Sequence, residues 1–425
     1  MRNKLKKLEN NRLNNRSINN KPIIFQNLKP EYNRLIVDKL GATGSVIGLL
    51  SLLFAWFTLK PNRLASGVVL NLPTSSGWIL TVLLGVMWLI CLFLNFQSKK
   101  NWPYVILGIT VNIILILSLT LLGSVATKLS QENAETARIS LGPGIWITFL
   151  AAYLVIFSAL KGIKSNVVIH NIFSWISPAV FLFFLFSGYF SNLSVLVEYN
   201  AQKLRFIQEF LQHIYLVGIC VFSASIIGIF LGIWATRSKR AQTFIFFLTN
   251  ISQTIPSLAL FGLLIAPLSA LSFKFAFLRE AGIRGIGNTP AIIALIIYSL
   301  LPIVRNTYVS IRQLDHSIID AGKGMGMSRF NIFIKIEMPL SAPLILEGVR
   351  IAAVQSIGLA AVAALIGAGG LGWFIFQGIG QAATDMVLLG AIPIILLALF
   401  TDGFMKFLIR LAIPKGLAKE KGAIN

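Results

Sequence analysis

Two short stretches hold residue types at a spacing that suggests a task. In the first, Asp320-Ala321-Gly322 is followed after three residues by Gly326, and after nine more by Ile336, Glu337, Met338 and Pro339. Small residues at Ala321, Gly322, Gly324 and Gly326 let a partner surface approach a short helix closely. Asp320 suits the N-terminal region of such a helix, where an acid meets the positive end of the dipole. Pro339 is expected to stop the chain before the next apolar run, because proline lacks the N–H that a helix interior uses. This is the chemistry of being gripped, not of making bonds. In the second stretch, Gly367-Ala368-Gly369-Gly370-Leu371-Gly372 precedes Trp373 and Phe374. It satisfies G-x-G-x-x-G, a dinucleotide pattern that has meaning only between a strand and a helix. Here it ends an apolar run, so it reads as a glycine-rich re-entrant or gate-forming loop, with Gly369, Gly370 and Trp373 as gate residues.

Other chemistry is sparse. The three histidines (His170, His213, His316) lie far apart and form no ligand cluster, and Cys91 and Cys220 sit inside apolar runs. No G-x-x-x-x-G-K-[ST] occurs; Gly322-Lys323-Gly324 is the nearest approach and lacks both the Ser/Thr and the leading spacing. No catalytic, metal-binding or cofactor-binding residue is assigned, and energy must come from a separate subunit or an ion gradient. Asn250, Gln253, Thr254, Pro256 and Gln355 are polar or kinking residues inside apolar runs. They are candidates to line a pathway, and their plainer use is hydrogen bonding between helices. Arg305, Glu347 and Arg350 also lie in or near spans, and Glu347 and Arg350 are spaced to pair on one helix face. The mid-membrane acids of an ion-coupled carrier are scarce: Glu198, Glu209, Glu280 and Asp385 fall in loops or at their edges.

The elements that must position these residues follow from composition. Of 425 residues, 56% are hydrophobic and 12% charged, and the mean hydropathy is +0.78. Soluble domains carry about 25% charged residues, so the chain reads as an all-α polytopic membrane protein. Ten apolar runs are candidate helices, near 41–59, 78–96, 103–125, 144–160, 168–190, 213–234, 243–271, 290–311, 343–366 and 386–409. The seventh is interrupted by Pro256 and Pro267 and is expected to break there. Lys+Arg number 37 against 15 Asp+Glu, an excess that suggests nucleic acid in a soluble domain but positive-inside loops in this one. With ten spans, 27 of the basic residues fall on the side holding both termini and 9 on the other. Both termini are therefore placed in the cytoplasm, with the chain in the cell membrane. Residues 1–40 form a basic tail suited to anionic lipid, with no nucleic-acid partner. Residues 41–190 read as a five-span N-terminal extension and 191–212 as an outer interfacial helix and linker. Residues 213–425 form the second five-span half, with a long loop at 312–340.

The spacing in that loop closely resembles the EAA loop of ABC-importer permeases: Glu-Ala-Ala, three residues, Gly, nine residues, Ile, any residue, Leu-Pro. Asp320 replaces Glu, Gly322 replaces Ala and Met338 replaces Leu. Together with Ile251-Ser252-Gln253-Thr254-Ile255-Pro256-Ser257-Leu258-Ala259-Leu260 and the glycine-rich loop, the order of motifs is similar to permeases of osmoprotectant importers for glycine betaine or choline. The match covers about residues 205–425, and the extra N-terminal spans suggest the extended branch. Methionine-type and other amino-acid permeases share much of this pattern.

The resemblance implies a type I ABC-importer permease core and alternating access. It implies a coupling helix, carried by Asp320, Ala321, Gly322, Gly326, Ile336 and Pro339, seated in a groove of an ATPase subunit. The implied partners are ABC ATPase subunits, a second permease copy or sister permease, an extracytoplasmic substrate-binding protein and the lipid bilayer. ATP and magnesium would be bound and hydrolysed by the partner, not by this chain. The competing class is an ion-coupled secondary transporter.

Overall fold

The computed structural model describes residues 38–62, 65–96, 101–134, 136–163 and 167–413. Most of the basic tail, residues 1–37, lies outside them. The described chain is mainly helical and divides into two compact units.

One unit comprises residues through Leu53, Ile79–Leu117 and Trp146–Ala179. Its first helix, α1 (Lys39–Ser51), is capped by Asp38, whose carboxylate accepts the N–H groups of Leu40 and Gly41. α2 covers Trp78–Leu94, α3 Asn101–Glu132, α4 Pro143–Gly162 and α5 Val167–Phe186. Gly41, Gly44 and Gly48 line one buried face of α1, against Asn95 and Ser158, Leu154 and Val155, and Trp88. Small residues let helix backbones approach closely in a membrane, where packing rather than the hydrophobic effect holds helices together.

The second unit contains Phe54–Trp78, Ser118–Ile145 and the chain from Val180 onward. It opens with a three-stranded antiparallel sheet: β1 (Ala55–Lys60) lies between β2 (Val68–Asn71) and β3 (Arg138–Leu141). Trp56 and Phe57 are fully buried there, and Lys60 faces Arg138 in the register. Then follow α6 (Ser194–Ala201), α7 (Lys203–Arg237), α8 (Lys239–Thr254), α9 (Ser257–Lys274), α10 (Asn288–Arg312) and α11 (His316–Gly324). The helical run α12 (Arg329–Ile366), then α13 (Gly372–Gly380) and α14 (Thr384–Ala412) complete the unit. Its core joins Leu216 and Cys220 of α7, Phe261 of α9, Leu295 and Tyr298 of α10, and Ile357 and Ala360 of α12.

Among the described residues, eight helices are long and apolar enough to cross a membrane: α3, α4, α5, α7, α9, α10, α12 and α14. The shorter α2 is apolar as well. Two expected spans differ. The run at 41–59 is not one helix: α1 stops at Ser51 and the chain is extended from Ala55. Thirteen residues give about 20 Å of helix, short of a bilayer's ~30 Å core. A continuous apolar run does not by itself separate helix from strand, and Trp56-Phe57-Thr58 favours the strand. The run at 243–271 breaks at Pro256, between α8 and α9, but not at Pro267, which lies inside the continuous α9. The stretch at 195–212 holds two elements, since α6 ends at Ala201 and the rest belongs to the first turns of α7.

Candidate functional site

The segment between α10 and the apolar part of α12 is built from local caps. Asp315 accepts the Ser317 N–H at 2.9 Å and starts α11, while Ser328 accepts the Asn331 N–H and starts α12. That backbone donor holds the Asp315 carboxyl below its ordinary value. Asp320 and Ala321 lie exposed on α11. The Lys323 ammonium donates to Asp320 at 2.8 Å and lowers its carboxyl in turn. Gly322 is buried against Ile332 and Ile336. Gly326 ends the turn at φ +76°, in the left-handed region that favours glycine. Exposed Met325 and Phe330 add apolar surface beside these small residues. The result is a short helix tethered on one side and open on the other.

Pro339 does not stop the chain. It lies in the first turn of an α-helical stretch from Met338, preceded by a π-helical turn over Phe333–Glu337. The wider turn accommodates a ring that cannot donate to the usual carbonyl and clashes with it in regular α geometry. Glu337, buried in that turn, accepts from Arg237 Nη2 at 2.7 Å, and the guanidinium also lies over the Phe333 ring. The last residue of α7 thereby ties down the start of α12.

At the opposite end of α12, Gly367, Gly369 and Gly370 have φ of +80°, +72° and +85°. Two side chains on the first turns of α7 hold this loop, and a third holds α12 itself. The Gly370 N–H donates to Glu209 Oε2 at 2.7 Å, and Gln212 Nε2 donates to the Ala368 carbonyl at 2.9 Å. His213 Nε2 lies 3.1 Å from the Ile357 carbonyl, so it carries the proton in that contact. Arg205 pairs with Glu209 at 3.1 Å and lies 3.9 Å over the Trp373 ring.

Of the expected pathway residues, Gln253 and Gln355 come together at 3.5 Å, and Gln253 also donates to the Tyr298 carbonyl at 2.6 Å. Asn250 and Thr254 are exposed instead, and Thr254 donates to the Ile251 carbonyl within its own helix. Pro256 starts α9 after an extended residue, and the Tyr298 hydroxyl donates to the Ile255 carbonyl freed there. Arg350 pairs with Glu347, as the spacing suggested, and also with Asp402, which Lys406 joins at 2.7 Å.

Several contributors were not singled out by sequence reasoning: Glu209, Gln212, His213, Arg237 and Glu337. The one local signal was the i, i+4 pair Arg205 and Glu209; the partners of the rest lie 76 or more residues away. Asp385, read as a loop-edge acid, is buried and accepts from the hydroxyls of Ser140 and Ser194 at 2.7 and 2.6 Å.

The second unit is thus a set of apolar helices long enough to cross a membrane, with a short glycine-marked helix before α12 and a clamped glycine loop after it. The model of the binding-protein-dependent transport system inner membrane component matches residues 224–413. That of the N-terminal domain of ABC transporter permease YehY matches residues 38–196. The carnitine transport permease protein OpuCB of Listeria monocytogenes is 38% identical over 213 residues, covering 50% of this chain and 90% of that protein. The glycine betaine/carnitine/choline transport system permease protein OpuCD of Bacillus subtilis is 37% identical over 217 residues, covering 51% and 87%. A solved inward-facing form of the MetNI methionine ABC transporter aligns with 50% of this chain and 99% of its own, at TM-score 0.43 and 18% identity. The chain belongs to the binding-protein-dependent permeases, the membrane subunits of ABC importers. Subunits of this family work with an ATPase and a substrate-binding protein and are not themselves the catalyst.

Proposed function

We propose that this permease imports osmoprotectants of the glycine betaine, carnitine and choline type, and that α11 couples it to a separate ATPase. The observation that carries the coupling assignment is α11 itself: small residues on an open face, Asp320 exposed, Gly326 at positive φ, and the segment anchored through Glu337. The substrate class is supported by what the relatives are named for, carnitine in one and glycine betaine, carnitine and choline in the other. Residues 213–425 form the permease core and 41–190 an extension, joined at 191–212. The matched stretches at 224–413 and 38–196 support this division.

In this reading both termini and the 312–340 loop face the cytoplasm, in keeping with the excess of Lys and Arg on that side. ATP and magnesium are handled by the ATPase, a second permease completes the pore, and a binding protein delivers solute at the loops on the other face. ATP-driven closure of the ATPase pair moves α11, and the clamped glycine loop shifts at the far end of α12. Gln253 and Gln355 line the path, with Gly369, Gly370 and Trp373 at its gate.

The test pairs wild type with Gly326→Arg in co-purification with the ATPase, followed by uptake of radiolabelled glycine betaine, carnitine and choline by the assembled importer. Retention of the ATPase by wild type, its loss from the mutant, and uptake of at least one of these solutes are the expected results. ATPase held equally by both forms overturns the coupling assignment, and uptake of none of the three overturns the substrate class.

A further inference from the structure

One cavity enters the readings above only through Trp373. It lies wholly within the second unit, has a volume of about 470 Å³, and is lined by Arg138, Glu198, Gln202, Trp373, Gln377 and Gln381, among others. Small-ligand sites fall in the range of roughly 300–1,000 Å³.

The lining carries a pair of opposite charges, Arg138 and Glu198, and Glu198 also accepts from Gln202 Nε2 at 3.4 Å. Arg138 spends Nη1 on the carbonyls of Thr136 and Ala137, both at 3.2 Å. Its Nε is buried without a hydrogen-bond partner and lies 3.8 Å from Glu198 Oε1. That distance is an ion pair but not a hydrogen bond. Buried donors ordinarily have acceptors, and the Nε–Nη2 edge of a guanidinium is the geometry that takes a carboxylate bidentately. Glu198 supplies a negative charge whose side chain is 5% exposed. Trp373 brings an aromatic ring that already receives one cation, Arg205. Glutamine amides fill much of the remaining wall.

A fixed cation with an unpartnered Nε, an acid beside it and neutral amides around them match a ligand carrying both charges a few bonds apart. We propose that this cavity is a solute site for small zwitterions, taking the carboxylate on Arg138 and the ammonium towards Glu198 and the Trp373 side. This deepens, and rests on, the importer reading above. It also gives the N-terminal stretch a use: Arg138 and the pairing strand β3 lie within the 38–196 match, whereas Trp373, Gln377 and Gln381 lie within 224–413. A permease without that stretch has no Arg138 to offer.

The experiment is equilibrium binding of radiolabelled glycine betaine and carnitine to the full chain in lipid nanodiscs, with no ATPase or binding protein present. Choline, which lacks the carboxylate, is the comparison. Saturable binding of both zwitterions is expected, with choline at least about tenfold weaker. Arg138→Gln should weaken the zwitterions at least about tenfold, to the level of choline, as expected for loss of a charge-assisted contact. Arg138→Lys should recover part of the affinity. Gln377→Ala, at an exposed position, should weaken binding by a smaller factor and guards against a variant that fails to fold. Absence of saturable binding to wild type overturns the proposal, and so does binding unchanged in both Arg138→Gln and Gln377→Ala. Uptake by the assembled importer separates the two readings. If the complex moves these solutes while the isolated chain binds none, only the cavity assignment falls. If the chain binds them while the complex moves none, the cavity stands and the substrate class falls.

Discussion

Glu209, near the start of α7, accepts the backbone N–H of Gly370, which lies 161 residues further along the chain, through a buried 2.7 Å hydrogen bond. The same carboxylate pairs with Arg205, which covers Trp373. One acid thus fixes both the backbone and the neighbouring aromatic ring of the glycine loop. Glu209→Ala leaves the Gly370 donor buried and unmatched, a cost of about 1–3 kcal/mol. The expected result is a lower thermal midpoint in nanodiscs and faster labelling of a cysteine placed at Ala368. Glu209→Gln, which keeps an acceptor, should lose much less stability.

Two glycines in the same half of the chain should respond oppositely to one methyl group. A Cβ at Gly322 would meet the ends of the Ile336 and Ile332 side chains at 3.0 and 3.4 Å, which can turn aside. Helix propensity then favours Gly322→Ala by up to about 1 kcal/mol, so its stability should match or exceed wild type. A Cβ at Gly372 would stand 1.9 Å from the Ala361 carbonyl oxygen. Backbone cannot yield that far, so Gly372→Ala should be recovered poorly, as fluorescence-detected size exclusion would show.

At Gly326 nothing crowds an added Cβ, so the barrier is conformational. Alanine at φ +76° costs about 1–2 kcal/mol, and asparagine, which visits that region more readily, should cost less. Co-purification should therefore rank wild type first, Gly326→Asn next and Gly326→Val last in retained ATPase.

Removing Arg237 strands a buried carboxylate at Glu337. Because Arg237 is itself about half exposed, the loss from Arg237→Ala should be near 1–2 kcal/mol, below that of a fully buried pair. A double-mutant cycle with Glu337→Gln should show coupling well above zero. The ATPase should be held less firmly by the single mutants, since the tether of the docking segment has gone.

Asp320 carries a proton-linked expectation. Its carboxyl titrates below the ordinary value because Lys323 donates to it. A group with a depressed folded pKa contributes above its unfolded pKa, and the contribution is lost as pH falls through the folded one. The stability of α11 should then be flat across neutral and mildly acidic pH and decline only below the ordinary carboxylate range of about 4. Asp320→Asn should remove that acid limb in a thermal-unfolding titration.

How far the sequence reached depends on the range of the interaction. The short helix α11 was legible because its features are local, Gly322 and Gly326 working through their own spacing and backbone, although Asp315, not Asp320, stands at its N-terminal end and Asp320 lies mid-helix, paired with Lys323. Glu347 and Arg350 were legible for the same reason. The sheet was not, because Ala55–Lys60 is an apolar run too short to show a period, and its partners β2 and β3 are supplied from elsewhere. The Pro339 expectation failed for a different reason. A proline rule written for regular helix geometry does not foresee that a π turn one step earlier admits the ring. Gln253 and Gln355 were named singly from their apolar surroundings, but their meeting depends on how α8 and α12 cross.

That π turn has a mechanical effect. By admitting Pro339 without a break, it leaves Arg329–Ile366 as a single helical run of 38 residues, roughly 55 Å long. In the proposed mechanism such a run would act as a lever, with the segment proposed to meet the ATPase at one end and the glycine loop at the other. A tilt of ~10° about one end displaces the other by about 10 Å, several times the length of the hydrogen bond from Gly370 to Glu209. A swing of that size would require the Gly370–Glu209 hydrogen bond to break.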